Sequence, residues 1–253
     1  MPEKYSQEAE LVYGIQPVLE LLASDRDTDR IFIQRDTRNE QLMRIQQQAR
    51  ERGVPVVRVP APKLSSFTRK NHQGVVAMVA AVRFASLDYI ISDAFSRGKM
   101  PFLLLLDQVT DVRNFGAIAR AAECAGADAL VVPFKGAARM GGDAVRTSSG
   151  ALNHLPVCRE PDLVKTVKNL KASGLATVAC TEKATYTVFN TDLNGPLAII
   201  MGAEDQGISP EILRLADHHC KIPMQGRVGS LNVSVATGIV LFEAVRQRVQ
   251  EEA

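Results

Sequence analysis

Three stretches of this 253-residue chain combine side chains able to steady an anion with small residues that leave room for a ligand. In the first, Leu103–Gly126, an apolar run ends at Asp107 and a polar turn follows. A helix is predicted to begin near Asn114, a good N-cap residue. Arg120 then stands among Gly116, Ala117, Ala119, Ala121 and Ala122. An arginine on such a small-residue helix either snorkels to solvent or aims at an anion. In the second stretch, Leu197–Leu213, Gly202 and Gly207 flank Glu204, and Ser209-Pro210-Glu211 opens a helix. The glycines permit close backbone approach to a ligand, although Glu204 capping a helix in an ordinary turn is the plainer reading. The third, Ile222–Val249, is a loop entering a long helix, with Ser230 and Asn232 at the entry; taken alone it is simple capping.

The elements that must position these residues are legible from hydrophobic pattern. PFLLLLD, ALVVP, LATVAC and PLAIIMG are nearly continuous apolar runs bounded by Gly, Pro or Asp. Strands buried on both faces belong to parallel sheets covered by helices, so the fold class is α/β. All three stretches sit at carboxyl ends of predicted strands, where open α/β sheets bind ligands. A long helix is predicted from about Asn232 to Gln250. Upstream, Val12–Leu22 has helical spacing, Arg30–Gln34 reads as a short strand, and Asn39–Arg52 is a polar helix stopped by Gly53. Val54–Val59 and Gly74–Val82 are β-branched runs of strand length. The predicted organisation is a small α/β domain over 1–83, a linker helix over 84–99 and a larger domain over 100–253.

Composition removes several classes. Lys+Arg number 30 against 28 Asp+Glu, a net charge of +2, which excludes a protein that coats nucleic acid by charge alone. The absence of tryptophan and an aromatic content of 5% argue against a surface built on stacking many bases. A local patch remains: Arg44, Arg50, Arg52, Arg58, Lys63, Arg69 and Lys70 face only Glu51, and either contact RNA phosphates or form a solvated face. Cys124, Cys158, Cys180 and Cys220 never form C-x-x-C and are expected to be reduced and buried. His218-His219-Cys220 alternates across a predicted strand with no second ligand cluster, so no metal is expected. The polar start, MPEKYSQEAE, lacks a signal-peptide core, and no run reaches the roughly 20 apolar residues of a membrane span. A cytoplasmic protein without a membrane is therefore expected. No P-loop, G-x-G-x-x-G or G-x-S-x-G elbow is present.

Together the three stretches resemble the signature motifs of the SpoU–TrmH family, SPOUT-class RNA ribose 2′-O-methyltransferases. The pattern D-x-x-x-D-P-x-N-x-G-x-x-x-R is matched from Asp107 to Arg120, with Val112 in place of the proline. G-A-E-x-x-G is matched from Gly202 to Gly207, and I-P-M…S-L-N-V-S-V-A from Ile222 to Ala236. Tyr13-Gly14-Ile15 and His72-Gln73-Gly74-Val75-Val76 resemble the family's substrate-binding extension. The likeness thus spans nearly the whole chain, and within the family it points to the bacterial enzymes that modify a guanosine of 23S rRNA.

The resemblance implies a C-terminal domain with a trefoil knot and an N-terminal L30e-like RNA-binding domain. It implies S-adenosylmethionine as methyl donor, contacted by Gly202, Ile222 and Leu231. It gives Asn114, Arg120, Glu204, Ser230 and Asn232 as the catalytic and structural polar set. Arg120 would stabilise charge on the ribose 2′-oxygen and position phosphate, Asn114, Ser230 and Asn232 would orient Arg120 and the ribose, and Glu204 would hold the loops. A guanidinium is a poor base, which favours the electrostatic role over proton abstraction. The resemblance further implies a homodimer; Val233, Val235, Ile239, Val240, Phe242 and Val245 give the last helix an apolar surface that suits one, or equally packing within its own domain. The alternatives are a tRNA 2′-O-methyltransferase of the same family and a non-catalytic ribosome-associated RNA-binding protein.

Overall fold

The computed structural model describes residues 10–35 and 39–251. The polar opening segment, apart from Glu10, lies outside them. The chain forms two compact units, one running up to Arg83 and including Arg139–Asp143, the other comprising Phe84–Ala138 and Ala144 onward.

The first unit contains β1 (Leu11–Tyr13), α1 (Ile15–Ala23), β2 (Thr28–Gln34), α2 (Glu40–Glu51), β3 (Val56–Val59), α3 (Ala61–Phe67) and β4 (Val75–Val79). Its sheet has the order β1-β4-β2-β3, with β4 antiparallel to both neighbours and β2 parallel to β3. Val12 lies in β1, so the first helix starts later than its apolar spacing predicts. The reason is local. Gly14 turns the chain at φ +91, and Gln73 Oε1 accepts the amide of Ile15 at 2.9 Å, capping α1 from across the sheet. Tyr13 pairs with Val76, so the YGI and HQGVV segments are neighbours. Val18, Ile31, Ile45, Val75 and Ala77 fill the core beneath α1 and α2.

The second unit contains β5 (Phe84–Ala85), α4 (Leu87–Ser96), β6 (Phe102–Asp107), α5 (Val112–Cys124), β7 (Ala129–Pro133), the rest of α6 (Gly142–Thr147), β8 (Val157–Glu160), α7 (Leu163–Ala172), β9 (Ala176–Cys180), β10 (Tyr186–Thr187), β11 (Leu197–Gly202), α8 (Pro210–Leu215), β12 (His218–Lys221) and α9 (Val233–Glu251). Its strands form one sheet, β10-β12-β9-β11-β6-β7-β8-β5, in which every pairing is parallel. All six residues of β6 are buried, as a strand covered on both faces requires. The stretch 84–99 differs from a linker: β5 pairs with β8, and Leu87 and Ile91 of α4 are buried in this unit's core. Their apolar side chains gain more from that burial than from staying beside water.

Candidate active site

The register of the large sheet gathers the three stretches at one edge. β6 and β11 run side by side with Asp107 opposite Gly202, so the first two stretches leave the sheet together. β9 lies on the other side of β11, and β12 beside β9, which brings Ile222 to the same edge. Asp107 is nearly buried; its Oδ2 accepts the Ser209 amide at 2.7 Å and the Ser209 hydroxyl at 2.5 Å. The aspartate that ends the strand therefore ties down the far end of the Gly202–Gly207 loop.

That loop is closed so tightly that only glycine fits at its base. A Cβ on Gly202 would lie 2.1 Å from the Gly207 carbonyl carbon and 2.3 Å from the Ile208 nitrogen. Gly207 itself has φ +68, and Ala203 and Gly207 form an antiparallel bridge across the loop. The closure projects Glu204 outward. Its Oε1 accepts hydrogen bonds from Asn114 Nδ2 at 3.2 Å, from Asn232 Nδ2, and from the backbone amide of Val233 at 3.0 Å. Asn232 Nδ2 also donates to Asn114 Oδ1 at 3.0 Å. One carboxylate thus joins side chains that are 90, 118 and 28 residues apart in pairs. It sits at the amino end of α9, where a negative charge complements the helix dipole.

The helix entries differ in detail from the sequence expectation. Asp111, not Asn114, caps α5, accepting the amides of Arg113 and Asn114 at 2.9 Å each. Two cap-forming residues stand three apart, and the earlier one takes the cap while the later one is drawn to Glu204. Val112 takes the first helical position, the one where proline is well tolerated, so its departure from the motif leaves the cap intact. Asn232 caps α9, its Oδ1 accepting the Ser234 amide at 2.9 Å.

A cavity of about 120 Å³ opens beside this cluster. Gly202, Ile222 and Leu231 all line it, together with Glu204, Gly207, Ser230 and Ala236. The lining suits a ligand with an apolar ring and polar tail: aliphatic walls from Ile222 and Leu231, and backbone amides and carbonyls bared at the glycines. A larger cavity, about 680 Å³, lies past β9 among Tyr186, Asn190, Arg214, His218 and His219, and meets the three stretches only at Leu213. The smaller one is where the polar groups converge, and convergence identifies a site better than volume.

The other predicted residues are placed as follows. Ser230 is exposed on the cavity rim and its hydroxyl bonds none of the other four. Arg120 stands apart from the cluster: it is exposed, does not line the cavity, and donates from Nη1 to Ser149 Oγ at 3.2 Å. Asp107, Ser209 and Ser149 received no role from the sequence; the first belongs to the quoted motif, whereas Ser149 had no signal at all. The thiols also differ from expectation. Cys124 is exposed near the end of α5 and Cys180 is half-buried in the cavity wall, so burial holds only for Cys158 and Cys220. Burial pushes the Cys158 thiol up to about 12, with Glu160 adding to the shift. Among the described residues, no helix is long and apolar enough to cross a membrane, and no group of three or more His, Cys, Asp or Glu is placed to hold a metal.

Comparison with known proteins agrees with this layout. Residues 101–242 match the SpoU rRNA Methylase family, and residues 11–85 match the RNA 2′-O ribose methyltransferase substrate-binding domain. The 23S rRNA (guanosine-2′-O-)-methyltransferase RlmB of Vibrio parahaemolyticus is 36% identical over 95% of this chain and 98% of its own. RlmB of Photobacterium profundum is 35% identical over 94% and 98%. Among solved structures, the SpoU methyltransferase AviRb of Streptomyces viridochromogenes, in complex with the cofactor AdoMet, is 28% identical with a TM-score of 0.59, covering 95% of this chain and 90% of that one.

Proposed function

The chain belongs to the SpoU rRNA methylase family, and from that premise we propose that it methylates the 2′-hydroxyl of a guanosine in 23S rRNA, using S-adenosylmethionine. One observation carries the reading. Gly202, Ile222 and Leu231, named for the cofactor from sequence, line a single cavity, and Glu204 on its wall binds the residues that bring in the other two motifs.

When bound, S-adenosylmethionine supplies an electrophilic methyl on a sulfonium centre. The protein must position a ribose oxygen against it and stabilise the charge that grows there. Gly202, Ile222 and Leu231 hold the donor through backbone groups and an apolar wall. Glu204 acts chiefly as a tie, its Oε1 holding Asn114, Asn232 and α9 together. Asn114 and Asn232 spend their amides on that same task. Arg120 stabilises the developing 2′-oxyanion and grips the adjacent phosphate, with Ser230 on the rim as a hydroxyl for the ribose.

The domain over 1–83 holds the RNA. Arg44, Arg50, Lys63, Arg69 and Lys70 are exposed on it, a set suited to phosphates. Arg52, by contrast, caps the end of α1 through the carbonyls of Leu22 and Ser24, and so is structural. The domain over 100–253, threaded as the family's trefoil knot, carries the chemistry. The enzyme works in the cytoplasm, where its RNA is, and as a homodimer. In α9, Val233 and Val240 are buried within their own subunit, but Val235, Phe242 and Val249 stay 51%, 50% and 61% exposed at heptad spacing. Such a stripe suits a second copy. Dimerisation also accounts for an Arg120 that does not line its own subunit's cavity.

The test is transfer from radiolabelled S-adenosylmethionine to rRNA and tRNA from a strain lacking the protein, followed by mapping. A single labelled guanosine ribose in 23S rRNA is expected. Label in tRNA would overturn the target, and no label in either pool, with cofactor bound, would favour the non-catalytic reading.

A further inference from the structure

Helix α6 ends in a way that breaks a local rule. The amide of Gly150 bonds the Val145 carbonyl at 3.1 Å, and that of Ser149 bonds the Arg146 carbonyl at 3.0 Å. This nested pair is the Schellman termination, in which the residue at the position of Ser149 takes left-handed backbone angles and is usually glycine. Ser149 has φ +53, an angle that costs an L-residue with a side chain free energy that glycine would not spend. The following residue, Gly150, shows that a glycine is available in this very turn, at φ +88. A side chain kept where none is favoured points to a use for that side chain.

Its one hydrogen-bonding partner supplies the use. Ser149 Oγ accepts from Arg120 Nη1 at 3.2 Å, and no other group of the described residues takes a hydrogen bond from Arg120. The turn is held firmly against α5. Gly116 lies so close to Thr147 that a Cβ there would fall 2.0 Å from the threonine Oγ1, and that Oγ1 donates to the Val112 carbonyl at 3.2 Å. Ser148, fully buried, donates its hydroxyl to the Val145 carbonyl at 2.8 Å. The backbone that carries the exposed Ser149 hydroxyl is therefore held in place, while Arg120 is a long, exposed side chain with freedom to lose.

We propose that Ser149 is a positioning residue for the methyl-transfer reaction: its hydroxyl anchors one edge of the Arg120 guanidinium and leaves the remaining donors aimed at the RNA. The proposal rests on the reading of Arg120 given above. A guanidinium carries five N–H donors in one plane, so fixing one of them restricts the direction of the rest.

Ser149→Gly separates this role from a merely structural one. Glycine suits the backbone angle, so the melting temperature should hold or rise, while kcat falls about tenfold, the scale of one lost hydrogen bond to a charged group. The dissociation constant for S-adenosylmethionine should stay unchanged, and the KM for RNA should move less than kcat. Ser149→Asn, which tolerates the same angle and restores an acceptor, should recover part of the rate. On an Arg120→Ala background, Ser149→Gly should cost nothing further. Wild-type kcat in Ser149→Gly, with Arg120→Ala impaired, would overturn the proposal and spare the reading of Arg120. An equal loss on both backgrounds would overturn it likewise. Full activity in Arg120→Ala would overturn both.

Discussion

Glu204 and Arg120 are the two charged side chains of the candidate set, and they are held in opposite ways. Glu204 Oε1 collects donors from Asn114, Asn232 and Val233, and so links the ends of three separate sheet-to-helix connections. Among the described residues Arg120 has a single hydrogen-bond partner, Ser149, and its side chain is exposed. Three donors converge on one carboxylate oxygen and fix Glu204 in place, whereas a guanidinium with one donor engaged keeps the others. On the function proposed above, the difference separates construction from chemistry: one charge ties the three connections together and the other is left to meet the RNA.

The sharpest way to break the Glu204 side is at its base. Gly202→Ala would place a Cβ 2.1 Å from backbone carbon, which no rotamer change relieves. It should destabilise the protein by about 3 kcal/mol and abolish cofactor binding and activity, read by thermal melting and calorimetry. Arg120→Ala should leave the melting temperature and cofactor affinity unaltered while the rate falls by about 10²–10³-fold, the usual cost of removing a charge-stabilising donor. Glu204→Ala should show the reverse pattern. It leaves Asn114, Asn232 and the amide of Val233 short of an acceptor, and should cost about 1–3 kcal/mol in stability and weaken the cofactor, with much of the rate recovered when cofactor is saturating. If Glu204→Ala instead behaves like Arg120→Ala, the division of labour is wrong.

How far the sequence anticipates this arrangement depends on the kind of signal. β6, β7, β9 and β11 are legible because strands buried on both faces are written as unbroken apolar runs. β8 is not, because Val157-Cys158-Arg159-Glu160 is half polar and four residues long. The start of α5 is misplaced because Asp111 and Asn114 are both good caps, and only the three-dimensional demand of Glu204 distinguishes them. The motif residues emerge from spacing, but the reason for Gly202 and Gly116 is contact with residues distant in sequence, Gly207 by loop closure and Thr147 by packing. Ser149 is invisible in one dimension: its distinguishing feature is a backbone angle.

The smallest effect concerns the Arg120 side again. Cys124 is exposed four residues after Arg120 on α5, so the two side chains are neighbours on the helix surface. In a Cys180→Ser chain, which removes the thiol of the cavity wall, carboxymethylation of Cys124 would set a negative charge beside the guanidinium and should lower the rate a few-fold without altering cofactor affinity. Cys158, buried and with its thiol pushed up to about 12, should resist the reagent until the protein unfolds. Mass spectrometry of the alkylated peptides checks both statements.

The most direct test of the central claim is made in cells. The ribose methylation of 23S rRNA should be mapped by mass spectrometry in a strain lacking this protein, complemented with the wild-type chain or with Arg120→Ala at equal abundance. The account predicts that the wild type restores one 2′-O-methylguanosine and that Arg120→Ala, folded and cofactor-competent, does not. Restoration by Arg120→Ala, or no change in 23S rRNA with either chain, would contradict it.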